Sequence, residues 1–301
     1  MSKIEKALSR ARREHGNLPV PVVSSPGGES QDTGTDLVVD RAGKGLATVS
    51  SETISRMSEP QLLSAEELLQ RGIIHPERSE DAGVQIFREL RTKILQQSQG
   101  RNAVILVSGV KEGSGCSFVA KNLGAAFAFD SGKTALVIDC NLKDPSMHRL
   151  TGNASLPGLM DYLENPDINL TEIIHPAGIA RFRVITAGAR REIPGEYLTS
   201  PKMAHLIDSV RRRYLERFII LDGPPMSDFA DIQVLSELCD CVIVVARYAI
   251  ATKGDIDSCL NAIHKKLVGI VFNDEPRIPW MWRKVSSWWG GGLAHREQPG
   301  G

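Results

Sequence analysis

Residues 109–117 read GVKEGSGCS, lying between an apolar run, AVILVS (103–108), and a helical pattern that begins at Phe118. A strand, a glycine-containing loop, a hydroxyl residue and a helix N-terminus are the parts of a phosphate-binding loop, where backbone amides and the helix end stabilise an anion. Gly113, Ser114, Gly115, Cys116 and Ser117 fall in the register of G-x-G-K-[ST], with Lys111 two positions ahead of it. Cys116 stands where that register places a lysine, the mobile point charge for the outer phosphates, and a thiol cannot replace it. On its own, G-x-G-x-S also fits a tight turn.

Two further strand ends bear on that choice. TALVID (134–139) ends in Asp139, and RFIILD (217–222) ends in Asp222, followed by Gly-Pro-Pro. A carboxylate at the tip of an apolar strand is costly unless it holds magnesium, a water or a donor, and this placement matches the metal-positioning aspartates of phosphoryl-transfer sites. A helix N-cap or turn role is the alternative for each. The Cys116 thiol, at a helix N-terminus, is expected to have a lowered pKa and to react readily with a small alkylating agent.

Short apolar runs alternate with helical stretches around these positions. Besides the three named, FRVITA (182–187), CVIVVA (241–246) and LVGIVF (267–272) read as buried strands, with helical patterns over 118–130, 201–214, 231–238 and 253–266. Continuous apolar strands separated by helices predict a mostly parallel sheet covered on both faces, a doubly wound α/β fold whose ligands bind at the carboxyl ends of strands.

All eight Phe and four Tyr lie between Phe87 and Phe272, and the four Trp lie between Trp280 and Trp289. The expected division is a basic N-terminal helix (1–15), a flexible linker (16–57) rich in Gly, Ser and Pro, a helical or extended lead-in (58–86), the α/β domain (87–275) and a Trp-rich basic tail (276–301). The N-terminal helix is too short to be stable alone and should fold against something. Tryptophans beside Arg283 and Lys284 favour a membrane–water boundary, or packing on the sheet or on a partner. With 36 basic and 36 acidic side chains, the net charge of zero excludes a nucleic-acid binder driven by bulk charge. The N-terminus lacks a secretory pattern, no apolar run is long enough to span a bilayer, and the five cysteines are scattered, all of which point to the cytoplasm.

The whole pattern resembles the cytoplasmic module of bacterial tyrosine kinases, the capsule and exopolysaccharide autokinases within the MinD/ParA-type group of P-loop ATPases. VSGVKEGSGCSFVAKNLGAAFA is similar to their Walker A region, LVIDCNLKDPSMH to the A′ motif, FIILDGPP to Walker B, and FRELRT (87–92) to an element that supports subunit packing. MSKIEKALSRAR and residues 62–95 resemble the exosortase-linked subset. The resemblance implies a P-loop NTPase-like fold with ATP and Mg2+ as cofactors. It implies Asp139 as base toward tyrosine, Ser117, Asp139 and Asp222 at the metal, and Asn273 near adenine. It also implies an inner-membrane chain-length regulator or export protein as partner, oligomers with itself or an intact kinase paralogue, and a place at the inner face of the cytoplasmic membrane.

The departures are specific. Cys116 replaces the lysine, Asn141 the second A′ aspartate and Lys143 the usual arginine, while the tail carries no tyrosine cluster. The expected function is a degenerate regulator or scaffold of polysaccharide export with weak or absent phosphoryl transfer. One alternative is an active autokinase in which Lys111, at the spacing of the additional lysine of MinD-type loops, compensates across a dimer; Lys111 as a solvated loop residue is the plainer reading. Another is a membrane-associated positioning ATPase.

Overall fold

The computed structural model describes residues 62–75, 82–191, 195–263 and 266–275. The expected N-terminal helix, linker and tail lie outside the described residues. Among the described residues seven strands form one sheet: β1 (Val104–Gly109), β2 (Thr134–Asp139), β3 (His175–Pro176), β4 (Phe182–Ile185), β5 (Arg217–Asp222), β6 (Cys241–Arg247) and β7 (Leu267–Asn273). Their order is β3-β4-β2-β5-β1-β6-β7. Every neighbouring pair is parallel except β3 with β4.

The helices are α1 (Ala65–Gln70), α2 (Ala82–Gln97), α3 (Cys116–Ala128), α4 (His148–Thr151), α5 (Leu159–Glu164), α6 (Gly195–Leu198), α7 (Pro201–Arg213), α8 (Phe229–Glu237) and α9 (Lys253–Ile263). Successive strand side chains point to opposite faces, so the apolar runs supply two cores. Leu106, Leu136, Leu221 and Val244 meet α5, α7, α8 and α9 on one face. Ile105, Val137, Ile220 and Val245 meet α2 and α3 on the other. Each fully buried Leu, Ile or Val contributes about 1.5–3 kcal/mol, which is why uninterrupted apolar strands settle as a covered, mostly parallel sheet.

α3 lies close to the sheet because Gly124 has no side chain, and a Cβ there would come within 2.6 Å of the Phe182 ring. The lead-in joins this layer. Ser64 and Glu67 form a reciprocal cap at the start of α1, Leu68 and Ile73 are buried, and the Ile74 amide donates to Asn122 Oδ1 at 2.7 Å. Residues 62–75 are therefore packed against α3, and α2 already begins at Ala82, ahead of the domain start expected at 87.

β4 stops at Ile185 rather than 187 because the carbonyls of Thr186 and Ala187 accept from the Leu159 and Met160 amides at the start of α5. The carboxyl ends of β1, β2 and β5 lie side by side, with Asp139 opposite Asp222 and Val107 opposite Asp222 in register.

Candidate functional site

The loop between β1 and α3 turns through two glycines with positive φ, Gly113 at 70° and Gly115 at 91°, a region that side chains disfavour. A Cβ on Gly115 would also collide with Asn273 Nδ2. Ser114 Oγ donates to the Lys111 carbonyl at 2.6 Å and accepts from the Lys111 amide at 3.2 Å, which closes the loop on itself. From outside, Asn273 Nδ2 donates to the Ser114 carbonyl at 3.0 Å, and Arg247 Nη1 donates to the Gly113 carbonyl at 3.3 Å. No side chain caps α3, so its first amides remain available to an anion.

A cavity of about 400 Å³ opens over this helix end. Lys111, Gly113, Ser114, Gly115, Cys116 and Ser117 line one wall, and Asn141, Lys143, Gly223 and Asp228 the facing wall. The sequence-predicted loop residues are thus brought together. Asn273 instead lines an adjoining apolar cavity of about 310 Å³ with Phe118, Phe87 and Phe272, its amide committed to Ser114.

Asp139 and Asp222 are both fully buried and differ in partners. Asp139 accepts from the Ser146 and Met147 amides at 2.9 Å each and from the Asn141 amide at 3.3 Å. Burial pushes its pKa up to about 6, against the pull of these three donors. Neither carboxylate oxygen of Asp222 has a hydrogen-bond partner. Burial, and then the Asp139 charge, push it well above the usual carboxylate range; the Ser117 hydroxyl lies near enough to ease that cost without bonding.

The cations near the loop are held by carboxylates. Lys111 Nζ lies 2.6 Å from Asp255 Oδ2, and the same oxygen accepts from Thr252 at the start of α9. Lys111 is thus neither a freely solvated loop residue nor directed at the cavity centre. Lys143 Nζ lies 2.9 Å from Asp228 Oδ2 on the facing wall.

The Cys116 expectation is corrected. Burial, and then the nearby Asp222 charge, raise the thiol's pKa, because the cost of withdrawing a thiolate from water, increased by the carboxylate beside it, exceeds what the helix end returns. Asp228, Asp255 and Arg247 were not legible as site residues. Only Asp255 carried a signal, the Thr-x-x-Asp of a reciprocal helix cap.

The chain matches no family model. Over 199 residues, 64% of its length, it is 30% identical to "Putative tyrosine-protein kinase EpsB" of Ralstonia nicotianae. Over 197 residues it is 28% identical to "Tyrosine-protein kinase wzc" of Salmonella typhi. The kinase domain of the Escherichia coli tyrosine kinase ETK superposes with a TM-score of 0.57 at 25% identity, over 65% of this chain and 78% of that one. The chain is a homologue of the bacterial tyrosine kinases. It spans 26% of the EpsB protein and 27% of the wzc protein. The chimerical protein CapA2B2 shares the fold, with a TM-score of 0.62 at 24% identity over 76% of this chain and 100% of that one. Within this bacterial tyrosine-kinase fold, the β1–α3 loop and the tips of β2 and β5 make up the candidate site.

The residues present suit a magnesium nucleotide in part. Among the described residues no group of three His, Cys, Asp or Glu is arranged around a metal, yet Mg2+ commonly uses one or two carboxylates and completes its shell with phosphate and water. The orphaned Asp222, with Ser117 beside it, fits that role. Asp139 does so less well, since its oxygens already serve backbone amides.

Proposed function

We propose that this chain is a bacterial-tyrosine-kinase-like P-loop protein of exopolysaccharide or capsule biosynthesis and export, one that binds magnesium nucleotide weakly and acts mainly as a regulator or scaffold. The single observation that carries this reading is Cys116 at the mouth of an otherwise formed phosphate loop. The amides and the helix end are in place, while the cation that would stabilise a migrating phosphoryl group is not. Bound Mg2+ would neutralise charge on the nucleotide phosphates. Asp222 and Ser117 would hold it, the amides of residues 113–117 would orient the phosphates, and Asp139 would fix the facing loop.

The partners that suit this reading are an inner-membrane chain-length regulator or export protein, and further copies or an intact kinase paralogue in an oligomer. Among the described residues no helix is long and apolar enough to cross a membrane. Association with the inner face of the cytoplasmic membrane through such a partner, or through the tail at 276–301, belongs to this proposal. The division into N-terminal helix, linker, α/β domain and tail forms part of the same proposal.

The test is titration of the full chain with MgATP, followed by a turnover assay. Weak binding with negligible turnover is expected. Cys116→Lys should then tighten MgATP by about 1.5–3 kcal/mol, roughly ten- to hundredfold. Equal affinities for the two proteins would mean that the loop is no phosphate cradle.

A further inference from the structure

Two lysines line the main cavity, Lys111 and Lys143. If the nucleotide reading above holds, one of them has to answer for the charge missing at Cys116, and their surroundings separate them. Lys111 is bound to a carboxylate with other work to do. Asp255 accepts from the Thr252 amide at 2.9 Å and from its hydroxyl at 2.6 Å, capping α9, and those bonds together with Lys111 hold its pKa down at about 2. Asp255 does not line the cavity, so this bond draws the Lys111 ammonium toward α9 and away from it.

Lys143 is placed differently. It belongs to the loop after β2, whose backbone Asp139 pins through Asn141, Ser146 and Met147, so its Cα is fixed on the wall facing the phosphate loop. Its ammonium meets Asp228 at 2.9 Å with 41% of the lysine side chain exposed. Asp228 occupies the N-cap position of α8 but makes no capping bond with its side chain, which leaves Lys143 as its partner. The neighbouring Asp231 is buried, and burial raises its pKa, making it a weak rival for the cation. The pair is about as open to solvent as that of Lys111 with Asp255, at 41% and 23% side-chain exposure against 42% and 30%, and so is held loosely. What sets it apart is that both of its members line the cavity. Rotation about the lysine's unbranched stem can carry Nζ from the carboxylate toward a phosphate in the same cavity.

We infer that Lys143 is the phosphate-binding cation of this site, standing in from the opposite wall for the lysine lost at Cys116, with Asp228 as the counterion it exchanges for phosphate. The pair is then a resting state that nucleotide opens, rather than a brace between two loops.

Titration of the full chain with MgATP and with MgADP tests this, because the two variants that break the pair should act in opposite directions. Lys143→Met should weaken both nucleotides about ten- to hundredfold. Asp228→Asn, which frees the lysine, should tighten them about two- to tenfold, an exposed pair being a modest competitor. Lys143→Arg should stay within about threefold of the parent, since it keeps the charge. With Cys116→Lys already installed, the loss on Lys143→Met should shrink to under about threefold, because the cation is then supplied from the usual side. Circular dichroism and unfolding midpoints without nucleotide confirm that each variant folds, and Lys143→Arg and Asp228→Asn carry the test if Lys143→Met does not. A structural brace would send Lys143→Met and Asp228→Asn the same way, which would overturn the inference, as would parental affinity in Lys143→Met. Failure of the parent chain to bind MgATP at all, with Cys116→Lys also silent, would overturn the nucleotide reading and this inference together.

Discussion

Asp139 and Asp222 end neighbouring strands, face each other in register and are equally buried, yet one is saturated with donors and the other has none. The loop after β2 doubles back over its own strand end and spends Asp139 on three of its amides. The loop after β5 leaves at once through Gly223 and Pro224, and proline has no N–H to offer. The same residue type at the same height in the sheet is therefore a fastener in one place and a reserved, unfavourable charge in the other. Buried polar groups without partners are uncommon in folded proteins, which makes Asp222 the better marker of a site awaiting a ligand.

The largest test of that contrast is Asp139→Ala. It strands the Ser146 and Met147 amides and should destabilise the fold by about 2–4 kcal/mol, read from denaturant unfolding. An unchanged midpoint would mean that the loop does not depend on its fastener. Asp222→Asn should do the opposite. Removing an unpartnered buried charge should stabilise the nucleotide-free fold by about 1–3 kcal/mol, and a loss of stability would show that Asp222 has an internal partner.

A smaller effect is the pH dependence of that gain. Both carboxyls hold protons more tightly folded than unfolded, Asp139 up to about 6 from an ordinary 3.8. Where the folded state binds more protons, stability falls as pH rises. The fold should lose stability from about pH 4 upward, through the value near 6 for Asp139. The advantage of Asp222→Asn should then be greater at pH 7 than at pH 4.5, because protonated aspartic acid and asparagine are alike in charge. A constant advantage across that range would contradict the raised pKa of Asp222. The smallest effect concerns Cys116. Iodoacetamide should modify it slowly at pH 7.5, and Asp222→Asn should speed the reaction severalfold by removing the charge that opposes the thiolate; equal rates would detach the thiol from Asp222.

The sequence was most legible where apolar runs meet a sharp stop. β2 and β5 run over 134–139 and 217–222 as expected, each ending at its aspartate. β1, β6 and β7 extend one residue beyond their apolar runs, into Gly109, Arg247 and Asn273, where ladder pairing continues without an apolar side chain. The two-residue β3 carried no pattern, since it exists only as the antiparallel partner of β4 through His175 and Val184. α4, α5 and α6 span four to six residues, too few for a 3.6-residue period to show. In the site, strand ends and loop glycines could be read because each is a local signal. The pairing of Lys111 with Asp255 and of Lys143 with Asp228 could not, since each joins distant segments that only the folded chain brings together.

The bond from Asn273 to Ser114 spans 159 positions of the chain. During synthesis the loop leaves the ribosome before its outer brace, which belongs to the last described strand of the sheet. Contacts this distant in sequence form late, because the intervening chain must first be closed into a loop. A ribosome-bound chain that has not yet released β7 would carry its loop segment without this staple, so nucleotide capture should switch on once β7 has emerged rather than grow in proportion to length. Premature termination before Asn273 would leave the other six strands without the clasp that holds Ser114 in place.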